Sequence, residues 1–158
     1  MWVAIVGSRS LADCTCEVKG DGWPPKADQT HFEDCLMLQS WLLTLHVVAR
    51  LSKHRDLEGI VSGGARGADT FAKEAAVMLG IKVLELRPEG RGSFVERAFR
   101  RNQKIVDKAK KTNGWVVALF GPGPRSTGTS DTIARAQAAG LKVNIHELVN
   151  GRWVWTTA

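Results

Sequence analysis

Three short segments carry the residue types that hold phosphorylated molecules. They are Gly7-Ser8-Arg9, the run Ser62-Gly63-Gly64-Ala65-Arg66-Gly67-Ala68-Asp69, and Gly121-Pro122-Gly123-Pro124-Arg125-Ser126-Thr127-Gly128-Thr129. The two long runs each follow a short apolar, β-branched stretch and precede a helical pattern. A strand that passes into a helix through glycines presents bare backbone N–H groups and the positive end of the helix dipole, which suits phosphate. Three such turns point to a nucleotide-like ligand rather than a lone anion. The competing reading is that the glycines only permit tight turns. Arg9, Arg66 and Arg101 can each fork onto phosphate oxygens, and Asn102 can orient the same ligand or the neighbouring turn. Asp69 opens the helix after the first long turn, where its short side chain either binds a ribose hydroxyl or holds the turn shut.

The elements that would position these residues alternate regularly. Residues 2–6, 58–61, 82–86, 115–120 and 142–146 read as five buried strands. Helices are expected from the Thr30–Glu33 capping box to about Lys53, from the first long turn to Gly80, from the Ser93–Glu96 capping box to about Lys111, and from about Thr129 to Ala139. Residues 10–29, with Gly20, Gly22 and Pro24-Pro25, read as a loop. The alternating tail Arg152-Trp153-Val154-Trp155 either adds a short edge strand or packs on the sheet. Strands alternating with helices predict an α/β fold: a Rossmann-like three-layer sandwich with a five-stranded, mostly parallel sheet, as a single domain over 1–158. Right-handed crossovers place every strand-to-helix turn along one edge, so all three turns should meet in one cleft at the switch in strand order.

Composition narrows the partners. At 158 residues, with 44% hydrophobic and 24% charged residues, the chain reads as one ordinary globular domain. It shows no secretory signal or membrane-length apolar stretch, so a cytoplasmic protein that does not enter a membrane is expected. The net charge of +6 resides in one segment. From Arg87 to Lys111 nine basic residues face Glu89, Glu96 and Asp107, while the rest of the chain balances. The partner of that segment is expected to be anionic, either a phosphorylated small molecule or, weakly and non-specifically, nucleic acid; otherwise the charges form a solvated helix face. Cys14, Cys16 and Cys35 read as thiols of a reducing compartment rather than metal ligands, and neither a metal nor a cofactor is implied. The Trp-rich tail and long first helix offer apolar surface that suggests a homodimer or a larger even assembly.

Gly7-Ser8-Arg9, the run from Ser62 to Asp69, the pair Arg101-Asn102, and Gly128-Thr129-Ser130-Asp131 together resemble the SLOG superfamily of Rossmann-like nucleotide binders, and most of all its small YspA-type branch. That superfamily joins the DNA-processing protein Smf/DprA and the Lonely Guy hydrolases, which cleave the N-glycosidic bond of a nucleoside 5′-monophosphate to free base and ribose 5-phosphate. The Lonely Guy motif is a Gly-Gly-x-Gly-Thr-x-x-Glu turn with a helix-borne arginine. Gly128-Thr129 matches it, the acid arrives one position early as Asp131, and Arg101 is the counterpart of the arginine.

The resemblance thus implies a nucleotide-binding hydrolase with Asp131 and Arg101 as catalytic residues. It implies Gly7, Ser8, Arg9, Ser62, Gly63, Gly64, Ala65, Arg66, Asp69, Asn102, Thr127, Gly128 and Thr129 around the nucleotide. Breaking an N-glycosidic bond develops positive charge on the ribose, which a carboxylate near the anomeric carbon stabilises. Asp131 could serve there, or could simply cap a helix. A non-catalytic binder of a nucleotide-derived signal and a single-stranded DNA binder are the alternatives.

Overall fold

A computed structural model describes residues 1–13 and 35–158. Strands β1 (Trp2–Gly7), β2 (Gly59–Ser62), β3 (Val83–Glu85), β4 (Val116–Phe120), β5 (Val143–Val149) and β6 (Arg152–Thr157) form one sheet in the order β3-β2-β1-β4-β5-β6. The first five are parallel, and β6 runs antiparallel on β5. Helices α1 (Leu36–Leu51), α2 (Ala68–Met78), α3 (Phe94–Lys111) and α4 (Thr127–Ala138) connect them, with a 3-10 turn at Arg9–Ala12 where the sequence reads as loop.

Alternation along the strands divides the core in two. Val3, Ile5, Ile60, Val117 and Leu119 face α1 and α2, where Val48, Phe71, Ala72 and Ala75 receive them. Ala4, Val6, Val61, Val116, Ala118 and Phe120 face the other way, onto Ile105, Val106 and Ala109 of α3 and Ile133 and Ala136 of α4. Near-continuous apolar strands such as Val116–Phe120 are what a sheet covered on both faces requires. The three layers are therefore as expected, and among the described residues no helix is long and apolar enough to cross a membrane.

The strand count is not as expected: among the described residues the sheet has six strands rather than five. Val149 pairs with Arg152 across a two-residue turn, Asn150-Gly151, with φ of 49° and 74°. Both central residues are left-handed, the geometry that turns a chain back on itself with the twist of the flanking strands. The alternating tail thereby becomes β6. At α3 the local signal holds. Ser93 Oγ accepts from the Glu96 N–H (3.2 Å) while the Ser93 N–H donates to Glu96 Oε2 (2.6 Å), starting α3. The Thr30–Glu33 capping box, Cys14, Cys16, His31 and Trp23 lie outside the described residues, and Cys35 is buried.

Candidate functional site

After β1 the chain builds outward to β2 and β3, then returns to place β4 on the other side of β1. The helices change faces at that reversal, so α2 and α3 part above the carboxyl end of β1. A cavity of about 450 Å³ opens there. It is lined by Gly7 at the end of β1 and Ser8 and Arg9 after it, by Asp69 of α2, by Arg101 and Asn102 of α3, and by Thr127–Thr129 of α4. The cleft expected from topology thus exists and gathers residues from all three turns.

The second long turn is open. Ser126 is the N-cap of α4; among the described residues no side chain caps this end, and the first turn carries no acid. Its first intrahelical bond runs from the Ser130 N–H to the Ser126 carbonyl (3.0 Å), leaving the N–H groups of Thr127, Gly128 and Thr129 without intrahelical partners. The hydroxyl of Ser126 instead donates to Thr129 Oγ1 (2.7 Å). On the outer side, Arg125 forks onto Glu147 (2.9 and 3.1 Å) and lies over the Phe120 ring, pinning the turn while the helix end stays free.

The first long turn is closed on itself. Asp69 Oδ2 accepts from the N–H groups of Gly63 (2.9 Å) and Ala65 (3.2 Å), and the Gly7 main chain supports the same carboxylate. Asp69 is 4% exposed, and burial pushes its carboxyl up to about 6 against those hydrogen bonds and the Arg101 charge. Gly67 at φ 93° brings α2 hard against β1, since a Cβ there would lie 2.3 Å from the Ser8 carbonyl oxygen. Of this run only Ala65 and Asp69 line the cavity. Ser62 is buried beneath it, Gly64 lies under the Glu85 side chain, and Arg66 is an exposed residue paired with Asp13 (2.7 Å).

Arg101 joins the two turns. Its Nη1 donates to the Gly63 carbonyl (2.7 Å) and its Nε to Asn102 Oδ1 (2.9 Å). A Cβ on Gly63 would fall 1.8 Å from that Nη1, so only glycine leaves the guanidinium this seat. Burial and the nearby Arg9 both work against the Arg101 charge, which Asp69 supports. Asn102 in turn donates to the Gly128 carbonyl (3.2 Å) and to Asp131 Oδ2 (2.9 Å). Asp131 stands behind Asn102, off the cavity wall, and the same oxygen accepts from Arg135 (2.8 Å). Of the two residues expected to act catalytically, Arg101 lines the cavity and Asp131 reaches it through one side-chain hydrogen bond.

The sequence reading missed the upper wall. Phe94, Val95, Ala98 and Phe99 line the cavity from the first two turns of α3, an apolar i, i+1, i+4, i+5 pattern inside a segment read for its charge. Of the nine basic residues from Arg87 to Lys111, Arg101 alone lines the cavity. Arg87 pairs with Glu85 (2.6 Å), and Lys108 covers the Trp2 ring at 4.5 Å. His146 lies away from the cleft on β5, its pKa lowered by burial and by Arg50 and His46. Among the described residues, no group of His, Cys, Asp and Glu side chains is arranged to hold a metal. Comparison with family models, curated proteins and solved structures finds no match to this chain.

Proposed function

We propose that the protein binds a nucleoside 5′-phosphate or a related nucleotide, as its resemblance to the SLOG superfamily implies. One observation carries the proposal: Arg9, Arg101 and the uncapped N-terminus of α4 converge on one cavity. The described cavity wall offers one carboxylate, Asp69, already committed to backbone N–H groups. Two cations and a helix dipole facing the same space favour a dianionic group. The cavity volume suits a ligand larger than phosphate itself.

Hydrolysis of the N-glycosidic bond is the second reading, favoured by the 2.9 Å bond between cavity-lining Asn102 and Asp131. In that reaction Asp131 would stabilise the ribosyl cation and activate water, and Arg101 would hold the phosphate. The ion pair with Arg135 and the interposed Asn102 favour binding without turnover. Incubation with a nucleotide panel, followed by chromatography for free base, separates the two. Tight binding without base release supports the signal-binding reading. Base release that falls roughly 10²–10⁴-fold in Asp131→Asn with binding intact supports the hydrolase. No binding of any nucleotide refutes both. Exposed Val154 and Trp155 on the edge strand support the further proposal of a homodimer or larger even assembly. A monomer by light scattering at micromolar concentration contradicts it.

A further inference from the structure

The cavity is divided by chemistry along α3. Residues 94, 98, 102 and 105 follow one helix face downward from the mouth. Asn102 and Ile105 are buried at the floor, whereas Phe94 and Val95 are 54% and 56% exposed at the rim. About 10 Å of helix separates Phe94 from Arg101. Of the phosphate-directed groups, Ser8 and Thr129 are buried and Arg101 is half-buried, while Arg9, Thr127 and Gly128 are exposed. The α3 side of the rim consists of Phe94, Val95, Ala98 and Phe99, whose side chains carry no hydrogen-bonding atom. Phe99 is backed by the Arg135 guanidinium, 5.9 Å from its ring centroid.

From this division we infer that the site takes nucleotides with little regard to the base: Arg9, Arg101 and the start of α4 read the phosphate, and the α3 rim receives the base by its flat face. The inference rests on the nucleotide-binding proposal and adds the specificity of the site. Discrimination by orders of magnitude needs buried polar groups matched to a ligand's donors and acceptors, which a carbon wall lacks. Stacking on an aromatic ring is tolerant of sequence, because every base presents a π-face. Phe94 and Val95 owe their exposure to this position, at the open end of a helix whose later turns bury Asn102, Ile105, Val106 and Ala109.

The test is calorimetric titration of the full chain with the 5′-monophosphates of adenosine, guanosine, cytidine and uridine, and with ribose 5-phosphate. The four nucleotides are expected to bind within about threefold of one another, and ribose 5-phosphate roughly tenfold more weakly. Phe94→Ala should weaken the nucleotides by roughly tenfold and leave ribose 5-phosphate unchanged. Because Phe94 is exposed, the melting temperature should hold, and Val95→Ala provides a second, milder truncation of the same wall. Preference for one base by two orders of magnitude overturns the inference while leaving the phosphate site standing. So does ribose 5-phosphate binding as tightly as the nucleotides. A Phe94→Ala variant that changes oligomeric state with affinity intact also overturns it, making the rim a subunit contact. Failure of ribose 5-phosphate and all four nucleotides to bind instead removes the nucleotide proposal itself, and the inference with it.

Discussion

The two long glycine-rich turns read alike in sequence and do opposite things with their backbone N–H groups. In the turn after β2, Asp69 collects the N–H groups of Gly63 and Ala65, so the protein supplies its own anion. In the turn after β4 no side chain among the described residues caps α4, and Thr127, Gly128 and Thr129 line the cavity with Arg9 and Arg101. The first turn is a strut, and the second is the receptor of the proposed phosphate. The lesson is that a glycine-rich strand-to-helix turn is a phosphate site only when no carboxylate of the same chain has taken its donors. Arg101 makes the strut useful, since its seat on the Gly63 carbonyl aims the guanidinium at the space the second turn leaves open.

The sharpest way to break this contrast is to give the second turn an anion of its own. A Cβ at Gly128 meets nothing within 4 Å, so Gly128→Asp fits without displacing a neighbour. A carboxylate in the first turn of α4 should raise helix stability by about 0.3–1 kcal/mol. It should weaken nucleotide binding by roughly two to three orders of magnitude through like-charge repulsion. Thermal melts and calorimetry on one preparation check both signs.

The strut should respond in the opposite sense. Asp69 titrates near 6 in the folded chain against an ordinary value of 3.8, so the ionised carboxylate is held at a cost. A raised pKa gives stability that is full below pH 3.8 and is lost as pH rises through 6. Asp69→Asn should therefore stabilise the protein at pH 7 by up to about 3 kcal/mol relative to its effect at pH 4. Urea unfolding of both proteins at the two pH values measures that difference, and equal effects would refute it.

Gly63→Ala tests the link between the turns. Its Cβ would displace the Arg101 guanidinium, the movable end of a side chain, rather than backbone. Nucleotide affinity should fall roughly tenfold with the loss of one charge-assisted contact. The fold should lose about 1 kcal/mol, with the Gly63 hydrogen bond. Arg66→Ala, in the heart of the glycine-rich run, should do least. It removes an exposed pair with Asp13, worth about 1 kcal/mol or less, and should leave nucleotide affinity unchanged in the same titration.

Much of the fold was legible because its signals are local. The Ser93–Glu96 box starts α3, and Gly80 and Gly140, at φ 67° and 75°, follow the ends of α2 and α4. The sixth strand went uncounted although a local signal was there: Asn150-Gly151 is a dipeptide whose left-handed preference makes a hairpin of the alternating tail. The site was legible only as an address. Topology brings the turns to one edge, but whether a turn is open depends on contacts between residues distant in sequence. Nothing near Arg66 announces that it will pair with Asp13, 53 residues away. Equally, nothing near Asp131 shows that it stands behind Asn102. The apolar rim was hidden for another reason: a segment dense in charge invites counting of its charges, while its four carbon side chains repeat at helical spacing.

The difference between strut and receptor is most directly read from backbone amides during titration with a nucleoside 5′-monophosphate, by heteronuclear NMR. The amides of Thr127, Gly128 and Thr129 are expected to shift most. Those of Gly63 and Ala65, already bonded to Asp69, should move little. The largest shifts at Gly63 and Ala65, with residues 127–129 unmoved, would contradict the assignment and return the phosphate to the first turn.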